Sequence, residues 1–347
     1  VQMFEANLEQ NLAALMRDLK TRGRFVASPL RRVHIPKGKG KTRPLGIPAV
    51  RDRIAQEVVR RLLSPIFEPL FHEDSYGFRP GRNCHQAVER VLELWREGYK
   101  VVLDADISGF FDNIPHAVIM AGLRAEVADG NILDIVEKFL RAGVMENGVF
   151  KPTTVGTPQG GVISPLLANI ALNSMDWMLD RHGLRCVRYA DDFVVLCRNK
   201  TQAEEALALV AQHLNEVGLQ LSPEKTHIAA FKKGFSFLGF DISSHSVKMR
   251  PKSEEKFKDK IRELTRRSHN FDASVVKKVN QVVRGTANYF SAPFTRNLRV
   301  FTRLDKWVRM RLRCMKYKRK WKTDNKRLRL KFFRKMGLLS MYDLSTA

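Results

Sequence analysis

The spacing of apolar positions changes character several times along the chain. Over residues 5–20, Leu8, Leu12, Leu15 and Leu19 recur every three or four positions and predict an amphipathic helix. After Pro29, residues 31–36 and 42–47 read as two strands around the turn Lys37-Gly38-Lys39-Gly40-Lys41, a hairpin. A helical pattern resumes over residues 52–70. Residues 99–107 form a β-branched run ending in Asp106, and the apolar runs 185–189 and 193–197 flank a tight turn at Ala190-Asp191-Asp192. Helical stretches at about 116–128, 131–142, 164–181 and 201–217 separate these strands. Strands interleaved with helices, hairpins among them, predict a mixed α+β core rather than a doubly wound one. From Pro251 to about residue 335 the pattern is helical throughout.

Charge sharpens this picture. The chain of 347 residues carries 61 Lys and Arg against 36 Asp and Glu, a net charge of +25, which calls for a polyanionic partner. Nucleic acid is the first choice, because neutralising phosphates releases condensed counterions. From Arg296 to Lys335 there are 18 Lys and Arg and only two acids, which marks a phosphate-facing helical domain. Trp307, Tyr317, Trp321, Phe332 and Phe333 are interleaved with this charge and serve either as helix core or as stacking surfaces. No apolar run is long enough to span a membrane, and no signal peptide or presequence is visible. Cys84, Cys186, Cys197 and Cys314 are scattered, supporting neither a zinc site nor a disulfide framework, so a reducing cytoplasmic compartment is expected. The start on Val1 suggests a processed or trimmed piece of a longer protein, with further domains or subunits.

The acids carry the candidate chemistry. In Val101-Val102-Leu103-Asp104-Ala105-Asp106-Ile107, a period of two puts Asp104 and Asp106 on one face, and Asp106 is the one that reaches the strand end. Acids in such a strand are costly unless they meet cations. Asp191 and Asp192, adjacent on a hairpin tip, repel each other and favour a divalent metal or a basic neighbour. Turns alone favour Asp, so the pair gains weight only beside the acid-ended strand and the basic surface. Oxygen donors without His or Cys suit Mg²⁺. Two such ions can activate an attacking hydroxyl and stabilise a leaving pyrophosphate, which is nucleotidyl-transfer chemistry.

An ordered series of motifs then resembles bacterial group II intron reverse transcriptases with maturase function. Tyr189-Ala190-Asp191-Asp192 is similar to the YxDD signature, and Asp106-Ile107-Ser108-Gly109-Phe110-Phe111 to the strand of the first catalytic Asp. Gly156-Thr157-Pro158-Gln159-Gly160-Gly161 resembles the PQG block. Arg43-Pro44-Leu45-Gly46-Ile47-Pro48 and Tyr76-Gly77-Phe78-Arg79-Pro80-Gly81-Arg82 resemble the fingers motifs. The resemblance covers roughly residues 8–335. It implies catalysis and metal binding by Asp106, Asp191 and Asp192, with two Mg²⁺ ions. It places Lys37 and Arg43 on the incoming triphosphate, Phe111 as a steric gate against a 2′-OH with Phe110 as core, and Gln159 beside the nucleotide. Lys225 would support the phosphates, although helix-start chemistry at Ser222-Pro223-Glu224 accounts equally well for its surroundings. Phe237, Leu238 and Gly239 would position the primer end, or form an apolar strand. Arg309, Arg313, Lys316 and Lys320 are candidates for nucleic-acid contact in the basic region.

Residues 279–290, Val279-Asn280-Gln281-Val282-Val283-Arg284-Gly285-Thr286-Ala287-Asn288-Tyr289-Phe290, resemble the maturase or thumb domain, with Thr286 where that family often has Trp. No Cys/His-rich endonuclease segment follows, so the chain is expected to lack its own second-strand nicking activity. The implied fold is a right-hand α+β polymerase: fingers over 1–100, palm over 101–245 with part of the fingers inserted, and a helical basic thumb over 246–347. The implied partners are an RNA template with a DNA or RNA primer, dNTPs and a structured intron RNA. An RNA-binding splicing cofactor is the second reading. A host-adapted enzyme in phage defence, DNA repair or CRISPR adaptation is the third.

Overall fold

The computed structural model describes residues 1–38 and 41–346. The chain divides into two compact units, Val1–Ile228 and Ala229–Ala347. In the first, helices α1 (Gln2–Glu5) and α2 (Leu8–Lys20) precede the hairpin β1 (Leu30–Gly38) and β2 (Lys41–Ile47), then α3 (Val50–Phe67) with a 3₁₀ turn at Glu68–Leu70. Next come α4 (Cys84–Arg96), β3 (Val101–Asp106), α5 (Phe110–Asn113), α6 (His116–Glu126), α7 (Gly130–Leu140), β4 (Val144–Glu146) and β5 (Val149–Lys151). The unit continues through α8 (Ser164–Arg181), β6 (Arg185–Tyr189), β7 (Asp192–Cys197) and α9 (Lys200–Glu216) to β8 (His227–Ala230), along which the division falls.

Most of these elements fall where the apolar spacing predicts them. The first helix is split in two, with Leu15 and Leu19 buried and Leu8 left exposed. Helix α4 lies outside the predicted elements, although its start is well marked. Asn83 accepts from the Gln86 backbone N–H at 3.0 Å while the Gln86 side chain accepts from the Asn83 N–H at 2.8 Å, a reciprocal cap. Ala87, Val88, Val91, Leu92 and Leu94 supply its buried side.

One sheet runs in the order β6-β7-β3-β8, with β3 antiparallel to β7 and β7 antiparallel to β6. Leu103, Ala105, Ile107, Phe193, Val195 and Cys197 point into the main core, where residues of α6, α8 and α9 such as Ile119, Leu172 and Val210 meet them. The second sheet, β2-β1-β4-β5, holds the basic hairpin. There β1 pairs antiparallel with β2 and parallel with β4.

The second unit opens with the small sheet β9 (Phe235–Phe237), β10 (Phe240–Ile242) and β11 (Val247–Met249), in the order β11-β10-β9. Helices α10 (Pro251–Leu264), α11 (Ala273–Phe290), α12 (Leu298–Tyr317), α13 (Asp324–Arg327), α14 (Leu330–Lys335) and α15 (Met341–Thr346) follow. Phe237, Phe240, Ile261, Val279, Val283, Phe301, Leu304 and Leu312 are fully buried in it. Asp305 ties the last helix in place, accepting from the Met341 and Tyr342 backbone N–H groups at 2.9 and 3.1 Å. The four cysteines are free thiols. No helix among the described residues is long and apolar enough to cross a membrane.

Candidate active site

The alternation of β3 places its acids. Leu103, Ala105 and Ile107 face the core, which turns Asp104 and Asp106 to the other face. The register sets Asp106 directly opposite Asp192, and opposite residues of an antiparallel pair share a face. Tyr189 also pairs with Asp192, which leaves only Ala190 and Asp191 to make the β6–β7 turn.

That turn is strained and firmly held. Ala190 sits at φ 62°, in the left-handed region that a Cβ disfavours, at a cost of about 1 kcal/mol or more. Below it lies Arg188, whose side chain is completely buried. Its guanidinium donates to both Asp176 oxygens at 2.5–3.0 Å, to Asn169 Oδ1 at 2.9 Å, to Ser75 Oγ at 2.8 Å and to the Ala190 carbonyl at 3.0 Å. Burial opposes the Arg188 charge, but the Asp176 carboxylate outweighs it and holds the guanidinium above its ordinary pKa. From the side, residues 74–76 run along the edge of β6, with Tyr76 N–H donating to the Arg188 carbonyl at 2.8 Å. The next residue, Gly77, lies so close to the turn that an added Cβ would stand 2.2 Å from the Ala190 nitrogen. Asn169 also donates to the Gly77 carbonyl at 2.9 Å, so one side chain ties both segments.

On this support the acids meet cations. Burial pushes the Asp191 carboxyl above its usual pKa, and the nearby Asp106 charge pushes it the same way. Its own backbone N–H and the positive fields of Arg43 and Lys225 pull it back. Lys225 Nζ lies 2.6 Å from Asp106 Oδ2. The helix start expected at residues 222–224 is absent. These residues are a turn, anchored where Ser108 N–H donates to the Gln220 carbonyl and Ser222 N–H to the Asp106 carbonyl, both at 2.8 Å. Pairing with the strand end, rather than helix capping, accounts for the position of Lys225.

The hairpin and the PQG block also converge. Arg43 Nε donates to Gln159 Oε1, and Gly46 N–H donates to the Gln159 carbonyl at 3.0 Å. Lys37 lies on β1, and its side chain falls outside the described residues. Phe111 begins the short α5 with Phe110, and both are buried. Its carbonyl accepts from Thr157 N–H at 2.8 Å, and His116 Nε2 meets the Gly156 carbonyl at 2.8 Å. Burial holds the His116 imidazole below its usual pKa, so it stays neutral and fixes the start of the PQG loop.

Sequence reasoning named Gly77 only within a motif and gave His116, Arg188, Asp176 and Asn169 no role. A signal existed: Asn169 and Asp176, seven residues apart, interrupt the largely apolar buried face of α8.

The remaining candidates lie in the second unit. Phe237 and Phe240 pair across a two-residue turn of Leu238 and Gly239, and Tyr289 O–H donates to the Leu238 carbonyl at 2.8 Å. Thr286 lines a cavity of about 360 Å³ with Gly239, Phe257, Tyr289 and Phe290. Arg313 donates to the Leu328 carbonyl at 2.9 Å and lies over the Phe333 ring, while Arg309 lines a cavity of about 390 Å³ with Arg334 and Asp305. Lys316 and Lys320 are exposed. Of the interleaved aromatics Phe333 is core, whereas Trp321 and Phe332 are exposed and Arg319 stacks 4.2 Å from the Trp321 ring.

A family model described as reverse transcriptase (RNA-dependent DNA polymerase) matches residues 35–242, more than half of the chain. The chain belongs to the reverse transcriptases. Residues 254–333 of this reverse transcriptase match a second model, the group II intron maturase-specific domain. It is similar to protein YkfC of Escherichia coli (strain K12), 36% identical over 276 residues, covering 68% of this chain and 72% of that protein. It is also similar to the group II intron-encoded protein LtrA of Lactococcus lactis subsp. cremoris, 31% identical over 302 residues, 67% of this chain and 50% of that one. The chain thus spans about half the length of LtrA. Among solved structures, apo telomerase from Candida tropicalis shares the fold, with a TM-score of 0.55 at 12% identity over 92% of this chain and 61% of that one. The α+β polymerase fold with a helical C-terminal region is therefore that of the reverse transcriptases.

Proposed function

We propose that this reverse transcriptase extends a primer 3′-OH with dNTPs on an RNA template, using two Mg²⁺ ions held by Asp106, Asp191 and Asp192. The observation that carries the reading is the register of β3 on β7, which sets Asp106 opposite Asp192 with Asp191 in the adjoining turn. The donor set is carboxylate oxygen alone, and Asp191 is close enough to Asp106 for one charge to raise the pKa of the other. Such a pair has a standing need for positive charge, which hard divalent cations meet. Among the described residues no three His, Cys, Asp or Glu side chains converge closely enough to hold an ion, and the Asp106 carboxylate is turned to Lys225. Lys225 therefore supplies part of the charge that an ion held by Asp106 would bring. When bound, the ions lower the pKa of the attacking hydroxyl and stabilise charge on the leaving pyrophosphate.

The chain's own residues do the positioning. Arg43, braced by Gln159, faces the acids with a fixed guanidinium suited to phosphate oxygens, and Lys37 on the same hairpin adds a second cation. Phe111 gates the sugar. In this reading residues 1–100 serve as fingers, 101–245 as palm and 246–347 as thumb. The Leu238-Gly239 turn holds the primer end, and Arg309, Arg313, Lys316 and Lys320 belong to the nucleic-acid surface. The maturase-specific match over the basic helices supports binding of a structured intron RNA by the second unit.

The test is dNTP incorporation on an RNA template annealed to a DNA primer with Mg²⁺, comparing wild type with Asp191→Ala. Template-dependent extension that the substitution abolishes is the expected result. Equal inactivity of both proteins, with tight binding of structured RNA, would transfer the assignment to an RNA-binding splicing cofactor.

A further inference from the structure

The proposed gate, Phe111, is only 8% exposed, while the aromatic beside it is open to solvent. Phe78 is 52% exposed, and its ring meets Phe111 edge-on, with centroids 6.4 Å apart and planes at 79°. Phe110 packs against Phe111 in the same way at 5.4 Å. The Phe111 ring is thus flanked by two phenyl rings, one from the core and one from the open side. Burial does not account for the exposed one, and its backbone is unfavourable as well, at φ 62°.

The neighbours of Phe78 show why it stays there. Gly77 is pressed against the Ala190 nitrogen. Arg79 is buried, donating to the His72 and Ser75 carbonyls at 2.7 and 2.8 Å and to Glu68 Oε1 at 2.7 Å. With both flanking residues fixed, the strain falls on Phe78. Strain of this kind persists only where the surroundings over-determine it, and it concentrates at functional sites.

We propose that Phe78 is a positioning residue for sugar selection: its ring fills the space into which Phe111 would turn to make room for a 2′-OH. The inference rests on the reading of Phe111 as the gate. An aromatic side chain yields by rotating about χ1 into free volume, and Phe110 and Phe78 together deny it that volume. Removing Phe78 leaves one wall, so selectivity weakens without vanishing.

The experiment measures kcat/KM for matched dGTP and GTP insertion on an RNA template with a DNA primer, in wild type, Phe78→Gly, Phe78→Tyr and Phe111→Ala. Phe78 is exposed and glycine accepts its φ without strain, so Phe78→Gly retains the fold. The expected result is a fall of about tenfold in the dGTP over GTP preference of Phe78→Gly, produced by better use of GTP. Phe78→Tyr, which keeps the ring, retains the wild-type preference. If Phe111→Ala relaxes selectivity while Phe78→Gly slows both nucleotides equally or leaves the ratio unchanged, the proposal is overturned and the gate stands. If Phe111→Ala also leaves the ratio unchanged, the gate reading falls and takes the proposal with it.

Discussion

The β9–β10 and β6–β7 hairpins each turn in two residues, and they are held by opposite kinds of chemistry. In the β9–β10 hairpin Leu238 and Gly239 both adopt left-handed backbone, at φ 48° and 85°, the combination that matches the twist of paired strands. Apolar material secures it: the Phe240 ring lies 5.4 Å from Tyr289, 5.0 Å from Phe290 and 6.1 Å from Phe294. In the β6–β7 hairpin Ala190 takes the left-handed position without the help of glycine. There the support is a buried ion pair, Arg188 with Asp176, reaching the turn through one carbonyl. The proposed metal site needs its acids open to cations, so rings cannot cover this turn. It is clamped from beneath, through the backbone, by a charge that is itself neutralised.

The sharpest way to break the comparison is to remove that charge. Arg188→Met leaves Asp176 buried without its cation and should cost about 3–5 kcal/mol in urea unfolding. Adding Asp176→Leu should restore much of the stability while polymerase activity stays low, because the Ala190 carbonyl remains unclamped. Wild-type stability in the single variant would show that the ion pair does not support the turn. Next in size is Gly77→Ala, whose methyl group must displace the Ala190 backbone. A roughly 100-fold loss of kcat with RNA affinity retained is expected, since small misplacements of reacting groups are that costly.

The aromatic hairpin should respond more mildly. Gly239→Ala and Tyr289→Phe should each lower stability by about 1 kcal/mol in thermal melts, the first through its left-handed backbone and the second through one lost hydrogen bond. If either matched the effect of Arg188→Met, the contrast between the two supports would disappear.

The smallest effect has the opposite sign. Asp191 has a raised folded-state pKa, so its contribution to stability is complete at low pH and is lost as pH rises through that value. Without metal, Asp191→Asn should therefore raise Tm by on the order of 2 °C at neutral pH and by less at pH 4. Saturating Mg²⁺ should narrow the gap by stabilising the wild type. A gap that does not change with pH would remove the charge explanation.

The contrast also separates what the sequence discloses from what it hides. Helices α6 to α9 and strands β6 and β7 are legible in the chain because apolar spacing reports on burial directly. Asp106, Asp191 and Asp192 are legible because acids at the ends of apolar strands contradict their surroundings. Helix α4 escaped that reading although the Asn83–Gln86 cap was in view. For Lys225 the sequence leaves phosphate support and a helix start equally open, because its partner, Asp106, is 119 residues away. Arg188 was invisible for a similar reason. A cation inside a strand reads as an outward-facing residue until Asn169 and Asp176 are folded beneath it.

Those separations also govern when the site comes into being. Arg188 gathers partners from Ser75, 113 residues away, from Asn169 and Asp176 on α8, and from the turn itself. Local propensity cannot complete the turn, since Ala190 resists its own conformation. It must wait for the long-range loop closures that bring residues 75 and 188 side by side. Once assembled, it cannot fray alone, because opening it exposes a buried charge pair. The acid-bearing tip of this hairpin should therefore exchange its amide hydrogens only when the whole first unit opens, although hairpin tips are ordinarily among the first parts of a protein to do so.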